Sequence, residues 1–301
     1  MEKEQPPSGN IVHIQRYSLH DGPGIRTLIF LKGCPLTCPW CSNPEAIHPF
    51  PELVHYRDRC IRCEACVQAC PTDSLEFIGD DLRICNDRSC ASKSCVEACP
   101  TGALEILGQT MTVDDVLRKV MQDFAFYKRS GGGVTFSGGE PLSQDRFLLA
   151  LLEALKAESI HTAIETTGYQ RWESFARILE RVDLVYYDLK IIDPREHERL
   201  LGVSNGLILE NARRMMERHA GKVVFRMPAV PGYTDSEINL KGIVGFLKAV
   251  DYYPGALEII PYHRFGESKY DLLRREYKLK GTRPPTPEEL RRCRAAIRGD
   301  G

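Results

Sequence analysis

The segment Thr27–Cys41 reads TLIFLKGCPLTCPWC, an apolar run that ends at Lys32 and Gly33 and opens directly into three cysteines. Its β-branched and aromatic residues favour a strand over Thr27–Gly33. Cys34, Cys38 and Cys41 follow with C-x3-C-x2-C spacing, in the loop after that strand. Three thiolates can hold three irons of a cubane cluster and leave the fourth iron open to an outside ligand. Such an open position separates a reactive metal site from a closed structural one. Zinc with a fourth ligand recruited from elsewhere is the alternative that spacing alone leaves open.

Downstream of Thr110, short apolar runs alternate with amphipathic helical segments. Strands are expected at Gly133–Ser137, Ile160–Glu165, Asp183–Leu189, Lys222–Pro228 and Ala256–Pro261. One helix should start at Thr112, which stands in capping-box spacing with Asp115. Another follows Ser143, where Phe147, Leu148, Leu151, Leu152 and Leu155 recur at helical spacing. With the strand before Cys34 this makes six β/α units, fewer than a closed eight-stranded barrel needs. The expected fold is α/β, a partial (β/α)6 TIM-like barrel over residues 1–49 and 108–301.

Residues 50–107 break that rhythm and form a cysteine-rich insert. Within it, CVQACPTDSLEFIG from Cys66 repeats as CVEACPTGALEILG from Cys95, 29 residues later. Two copies of one cysteine-bearing unit signal a pseudo-twofold metal module, here a two-cluster ferredoxin-like α+β domain. Cys60, Cys63, Cys66, Cys70 and Pro71 reproduce the C-x2-C-x2-C-x3-C-P run of bacterial ferredoxins, whose fourth cysteine serves the other cluster. By that rule one [4Fe–4S] cluster takes Cys60, Cys63, Cys66 and Cys99. The second copy carries Ser89 and Ser92 where cysteines would repeat, so Cys70, Cys85, Cys90 and Cys95 are assigned to the second cluster. A single-cluster insert with a decayed second site is the alternative.

Eleven of the twelve cysteines lie between Cys34 and Cys99, and Cys293 stands alone as an ordinary partly buried thiol. Clustered thiols in a reducing compartment read as metal ligands rather than disulfides. Hydrophobic residues are 43% and charged residues 27% of the 301, with a net charge of −1. That balance fits a soluble globular protein and argues against a nucleic-acid-binding surface. Met1–Asn10 lacks the apolar core of a signal peptide, and no apolar run reaches the roughly 20 residues that span a bilayer. The expectation is a cytoplasmic monomer without membrane contact.

Ile14–Glu45, IQRYSLHDGPGIRTLIFLKGCPLTCPWCSNPE, resembles the opening of glycyl-radical-enzyme activating enzymes, the pyruvate formate-lyase activase-like branch of the radical S-adenosylmethionine superfamily. SGGEP (Ser137–Pro141), ETTG (Glu165–Gly168), DLK (Asp188–Lys190), Arg226 with PAVPG (Pro228–Gly232) and PYHRFG (Pro261–Gly266) are similar to later segments of that family. Each falls at the C-terminal end of an expected strand, the edge where ligands collect in parallel α/β folds.

The resemblance implies that Cys34, Cys38 and Cys41 hold a reactive [4Fe–4S] cluster whose fourth iron is chelated by S-adenosylmethionine. It implies contacts from Gly138, Gly139 and Glu140 to the methionyl amino group, and Trp40 near the adenine. Glu165, Asp188, Lys190 and His263 would line the sulfonium, carboxylate and ribose regions, with Lys190 and His263 also counted with the cysteines as catalytic. The expected reaction is reductive cleavage to a 5′-deoxyadenosyl radical, which takes hydrogen from a glycine of a partner glycyl radical enzyme. Low-potential ferredoxin or flavodoxin would supply the electron, and the full cofactor set would be S-adenosylmethionine with three [4Fe–4S] clusters. A radical enzyme acting on a small molecule or peptide, or a ferredoxin-type electron carrier, are the competing functions. The sequence does not choose among diol dehydratases, choline or isethionate lyases, decarboxylases and arylsuccinate synthases as partner.

Residue by residue, plainer readings stand beside these. Glu165 and Lys190 could be members of ordinary ion pairs, His263 a turn histidine, and Asp21–Gly24 a turn. Arg274, Arg275, Arg291, Arg292 and Arg294 read as a solvated basic face, with partner docking as the alternative.

Overall fold

Period-2 alternation decides the architecture. In a computed structural model that describes residues 7–85 and 92–298, every expected strand forms within two residues of its predicted ends. The strands are β1 (Ser8–Ser18), β2 (Arg26–Leu31), β3 (Glu52–His55), β4 (Leu75–Ile78), β5 (Asp81–Ile84), β6 (Leu104–Leu107), β7 (Gln109–Thr112), β8 (Gly133–Gly138), β9 (His161–Thr166), β10 (Leu184–Asp188), β11 (Val223–Ala229) and β12 (Glu258–Pro261). One eight-stranded sheet runs in the order β12-β11-β10-β9-β8-β2-β1-β7. Its six members β2 and β8 to β12 pair in parallel, while β1 and β7 extend the β2 side antiparallel. β12 and β7 end the order without pairing to each other, as in a partial barrel.

On the parallel strands one face is apolar and the other polar. Ile29, Val134, Phe136, Ile164, Val185, Tyr187, Phe225 and Met227 pack into the main core. The helix Asp145–Ala157 buries Phe147, Leu148, Leu151, Leu152 and Leu155 there, each worth about 1.5–3 kcal/mol of transfer free energy. Thr112 and Asp115 cap the helix Val113–Val120 reciprocally, as their spacing predicts. Cys293 is buried in this same core.

The alternate positions carry Arg26, Thr135, Ser137, Glu165, Tyr186, Asp188 and Arg226. Arg26 is fully buried, its Nε donating to Thr135 Oγ1 at 2.7 Å and its Nη2 to the Val134 carbonyl at 2.6 Å. Burial pulls its pKa down to about 10, so it stays charged at neutral pH. Hydrogen bonds to strands β8 and the preceding turn replace the water it loses.

Between β2 and β8 the chain folds two short antiparallel pairs, β3 with β6 and β4 with β5. Short helices Ala65–Gln68 and Lys93–Glu97 precede Cys70 and Cys99 respectively, and β4 and β6 follow them at the repeat offset. Both copies therefore share one local path. Cys66, Cys70 and Cys95 are buried together with Leu53, Leu75, Leu82 and Leu104. Cys90 lies outside the described residues.

The basic C-terminal stretch is partly committed to structure rather than to solvent. Arg275 pairs with Glu52, which is buried and also receives Lys32 Nζ at 3.2 Å. Arg274 Nη2 pairs with Asp81 Oδ1 at 2.8 Å. These pairs fasten β3 and β5 to the C-terminal segment, an arrangement that charge counting along the sequence does not reveal. Among the described residues no helix is long and apolar enough to cross a membrane.

Candidate functional site

The loop after β2 leaves the sheet at Gly33 (φ +97°), and its backbone is tied down at once. Gly33 N donates to the Ala46 carbonyl at 2.7 Å and Cys34 N to the Ile47 carbonyl at 2.9 Å. The enclosed turn brings Cys34, Cys38 and Cys41 to one wall of a cavity of about 460 Å³. That volume lies within the usual range for small-molecule sites. Burial pushes the Cys38 thiol up to about 12 and raises Cys34 and Cys41 as well. A coordinating iron reverses this by taking the thiols as thiolates.

Across the cavity stand the ends of β8, β9, β10 and β11. Gly138, Gly139, Glu140, Glu165, Asp188 and Lys190 all line it, as does Trp40 from the cysteine loop. Trp40 is buried and meets Tyr233 edge-on, ring centres 5.9 Å apart. His263 lines an adjoining cavity instead, in common with Asp21, Ser137 and Glu165. β12 stops at Pro261, and the turn beyond it carries His263 to a tilted ring contact with Phe265, 4.5 Å between ring centres.

The two glycines have a backbone reason of their own. A Cβ on Gly138 would meet the Leu31 carbonyl oxygen at 2.5 Å, and one on Gly139 would meet the Gly33 carbonyl oxygen at 2.4 Å. Only glycine lets this loop lie against the end of β2 and the start of the cysteine loop. Gly139 N and Glu140 N donate to Leu31 and Gly33 carbonyls at 2.9 and 2.8 Å, which fixes the register between them.

Glu140 is almost wholly buried, and its carboxylate accepts four hydrogen bonds from the chain. Oε1 receives Leu142 N at 3.1 Å and Thr166 Oγ1 at 2.5 Å. Oε2 receives Thr167 N at 2.8 Å and Thr167 Oγ1 at 2.7 Å. The side chain thus locks the SGGEP loop to the ETTG loop.

Glu165 accepts from Ser137 Oγ at 2.6 Å and from Arg226 Nη1 at 2.7 Å. Burial raises its pKa, while Arg226 and Ser137 pull the other way. Arg226 also donates through Nε to Glu258 Oε2 at 2.9 Å and lies 3.4 Å over the Tyr186 ring. Asp188 Oδ2 receives Lys190 Nζ at 2.7 Å. Burial alone would depress that lysine, but Asp188 reverses it, with Cys38 adding to the effect. Lys190 is therefore a fixed cation beside the thiols.

Sequence reasoning placed Thr166, Thr167 and Arg226 in family-like segments at strand ends and Asp21 in a turn, but gave none of them a specific contact; all four line the cavity. Arg226 was legible in principle: it is the charged residue of VVFRMPA, on the face opposite Phe225 and Met227. Thr166 and Thr167 carry no such signal.

In the insert, Cys60, Cys63, Cys66 and Cys99 line a single cavity. Cys99 Sγ accepts from Ala103 N at 3.2 Å, and its repeat equivalent Cys70 Sγ accepts from Ser74 N at 3.4 Å. Burial opposes thiolate formation at both, but these and neighbouring hydrogen bonds outweigh it and lower both pKa values. Cys95 lies against Cys70, and Cys85 is exposed.

Residues 28–240 match the family model described as the radical SAM superfamily. The isethionate sulfite-lyase activating enzyme of Oleidesulfovibrio alaskensis is 44% identical, over 91% of this chain and 90% of its own length. The (2S)-3-sulfopropanediol sulfolyase activating enzyme of Bilophila wadsworthia is 44% identical, over 93% of each chain. The indoleacetate decarboxylase activating enzyme of Tractidigestivibacter scatoligenes is 40% identical, over 97% of this chain and 95% of its own.

Proposed function

The chain belongs to the radical SAM superfamily, among the activating enzymes of glycyl radical enzymes, and from that membership we propose a residue-level account of its reaction. The enzyme uses S-adenosylmethionine and a [4Fe–4S] cluster to form a 5′-deoxyadenosyl radical, which removes hydrogen from a glycine of a partner glycyl radical enzyme. When bound, the cluster and cofactor supply the electron transfer and the C–S cleavage; the protein supplies placement, charge and exclusion of water.

The single observation that carries the site assignment is the shared cavity. Cys34, Cys38 and Cys41 face the ends of four parallel strands across it. In this reading the three cysteines ligate the cluster. Gly138 and Gly139 present backbone to the methionyl group, with Glu140 fixing their loop from behind. Lys190, held by Asp188, offers a cation to a carboxylate and sits near Cys38. Glu165, oriented by Ser137 and Arg226, faces the same space, and Trp40 packs at its apolar side. His263 lines the adjoining cavity, which shares Asp21, Ser137 and Glu165 with the first, and from there would border the cofactor.

The insert, in the same reading, is a ferredoxin-like module with two further clusters, one on Cys60, Cys63, Cys66 and Cys99, the other on Cys70, Cys85, Cys90 and Cys95. The repeat and the four-thiol cavity support the first. Electrons from a low-potential ferredoxin or flavodoxin would pass through it to the reactive cluster, with no contact to S-adenosylmethionine. Anaerobic reconstitution, reduction and quantitation of 5′-deoxyadenosine, with and without a glycyl radical enzyme, tests the assignment. Formation of the nucleoside that survives loss of Cys38 would overturn it.

A further inference from the structure

His55, the last residue of β3, sits opposite Leu104 of β6 and is almost wholly buried. Both of its ring nitrogens are shielded from solvent, and neither has a hydrogen-bond partner among the described residues. An imidazole carries at least one N–H in either tautomer, and buried polar groups are normally paired. The ring lines the cavity that Cys60, Cys63, Cys66 and Cys99 also line. No other side-chain nitrogen at that cavity is left buried and unpartnered among the described residues. The thiols there are themselves acceptors, and cluster sulfides would be more so.

We propose that His55 donates a hydrogen bond to the sulfur of an iron–sulfur cluster held by Cys60, Cys63, Cys66 and Cys99, and sets that cluster's reduction potential. The inference rests on the reading that the insert holds this cluster. Hydrogen bonds to cluster sulfurs stabilise the extra negative charge of the reduced state and raise its potential. His55 is thus a positioning residue, acting on electron delivery through the cluster and not on the substrate. Its place on β3 matters, because β3 also carries Glu52, which Lys32 and Arg275 fasten to the barrel. The donor is held by the same strand that anchors the insert.

The test uses the full-length chain carrying Cys34→Ala, Cys38→Ala and Cys41→Ala, reconstituted anaerobically, so that only insert clusters remain. EPR-monitored redox titration compares this protein with the same protein carrying His55→Leu. At a fixed ambient potential near the midpoint, the ratio of reduced to oxidised cluster should fall about tenfold, equal to about 59 mV for one electron. His55→Gln, which keeps an N–H donor, should recover most of the loss. Labelling histidine with 15N should give a weak nuclear coupling to the reduced cluster in the protein that retains His55, a readout that needs no His55 variant to fold. An unmoved midpoint with iron retained, or no coupling, overturns the role of His55. Absence of insert iron in the parent triple variant overturns the cluster reading beneath it.

Discussion

Arg226 holds Glu165 at 2.7 Å across β11 and β9, inside the polar face of the sheet. The same guanidinium reaches Glu258 on β12 and lies over Tyr186 on β10, so one side chain ties together the four strands β9 to β12 beside the cavity. Its two carboxylates and the Tyr186 ring replace the hydration it loses, and its pKa rises despite burial. The pair therefore ties β11 to β9 near the sheet edge and fixes the orientation of Glu165.

Replacing Arg226 with Gln leaves the half-buried Glu165 with Ser137 but without its cationic partner. Breaking such a pair costs about 3 kcal/mol, or about 5 °C in Tm for a chain of this size. Thermal unfolding of the anaerobic protein without cofactor should show this fall, and adding Glu165→Gln should return part of it. An unchanged Tm would mean the pair contributes nothing to the fold.

Glu140→Gln should lower the Tm of the cofactor-free protein as well as weaken S-adenosylmethionine binding. The amide would set an NH2 group against donors from Leu142, Thr166 and Thr167. An unmet buried hydrogen bond costs about 1–3 kcal/mol, and the loosened loop should cost roughly tenfold in affinity. Calorimetry of unfolding and equilibrium titration of the cofactor check the two halves. Weaker binding with unchanged Tm would point to a direct ligand contact in place of the loop-locking role.

Much of this was legible in the chain. The strands announced themselves through Val, Ile and Tyr runs, and the cysteine loop through its spacing, because both signals are local. β1 did not: Ser8–Ser18 mixes Asn10, His13, Gln15 and Arg16 with its apolar residues, and half its partners, in β7, lie beyond the insert. Glu140 read as a ligand because GGEP is a local motif, whereas its four donors come mostly from the next strand's loop. His263 was placed by its strand, but two residues of turn moved it into the neighbouring cavity. Arg275 looked solvated until Glu52, 223 positions away, supplied its partner.

Fully loaded protein should contain about 12 irons, three cubanes in all. Cys63→Ala should lose roughly one cluster's iron and keep S-adenosylmethionine binding at the Cys34 loop. Its activity with a flavodoxin or ferredoxin donor should fall more than its activity with dithionite. Iron analysis with Mössbauer quantitation decides it, and a content near eight in the unaltered chain would leave the Cys70, Cys85, Cys90 and Cys95 assignment without a cluster.

Cys34→Ala, Cys38→Ala and Cys41→Ala should each abolish 5′-deoxyadenosine formation, since each leaves one iron without its thiolate. Chromatographic quantitation after reduction with S-adenosylmethionine present measures this. Turnover at the unaltered rate in any one of them, with insert iron retained, would remove that cysteine from the reactive site.

If this cavity serves to place a radical on a glycine of another protein, that radical is directly observable. EPR of a candidate glycyl radical enzyme, incubated anaerobically with the reduced chain and S-adenosylmethionine, tests it most directly. The expected result is a glycyl doublet that requires both cofactor and reductant and disappears with Cys38→Ala. Sustained 5′-deoxyadenosine formation with no doublet on that partner would contradict it.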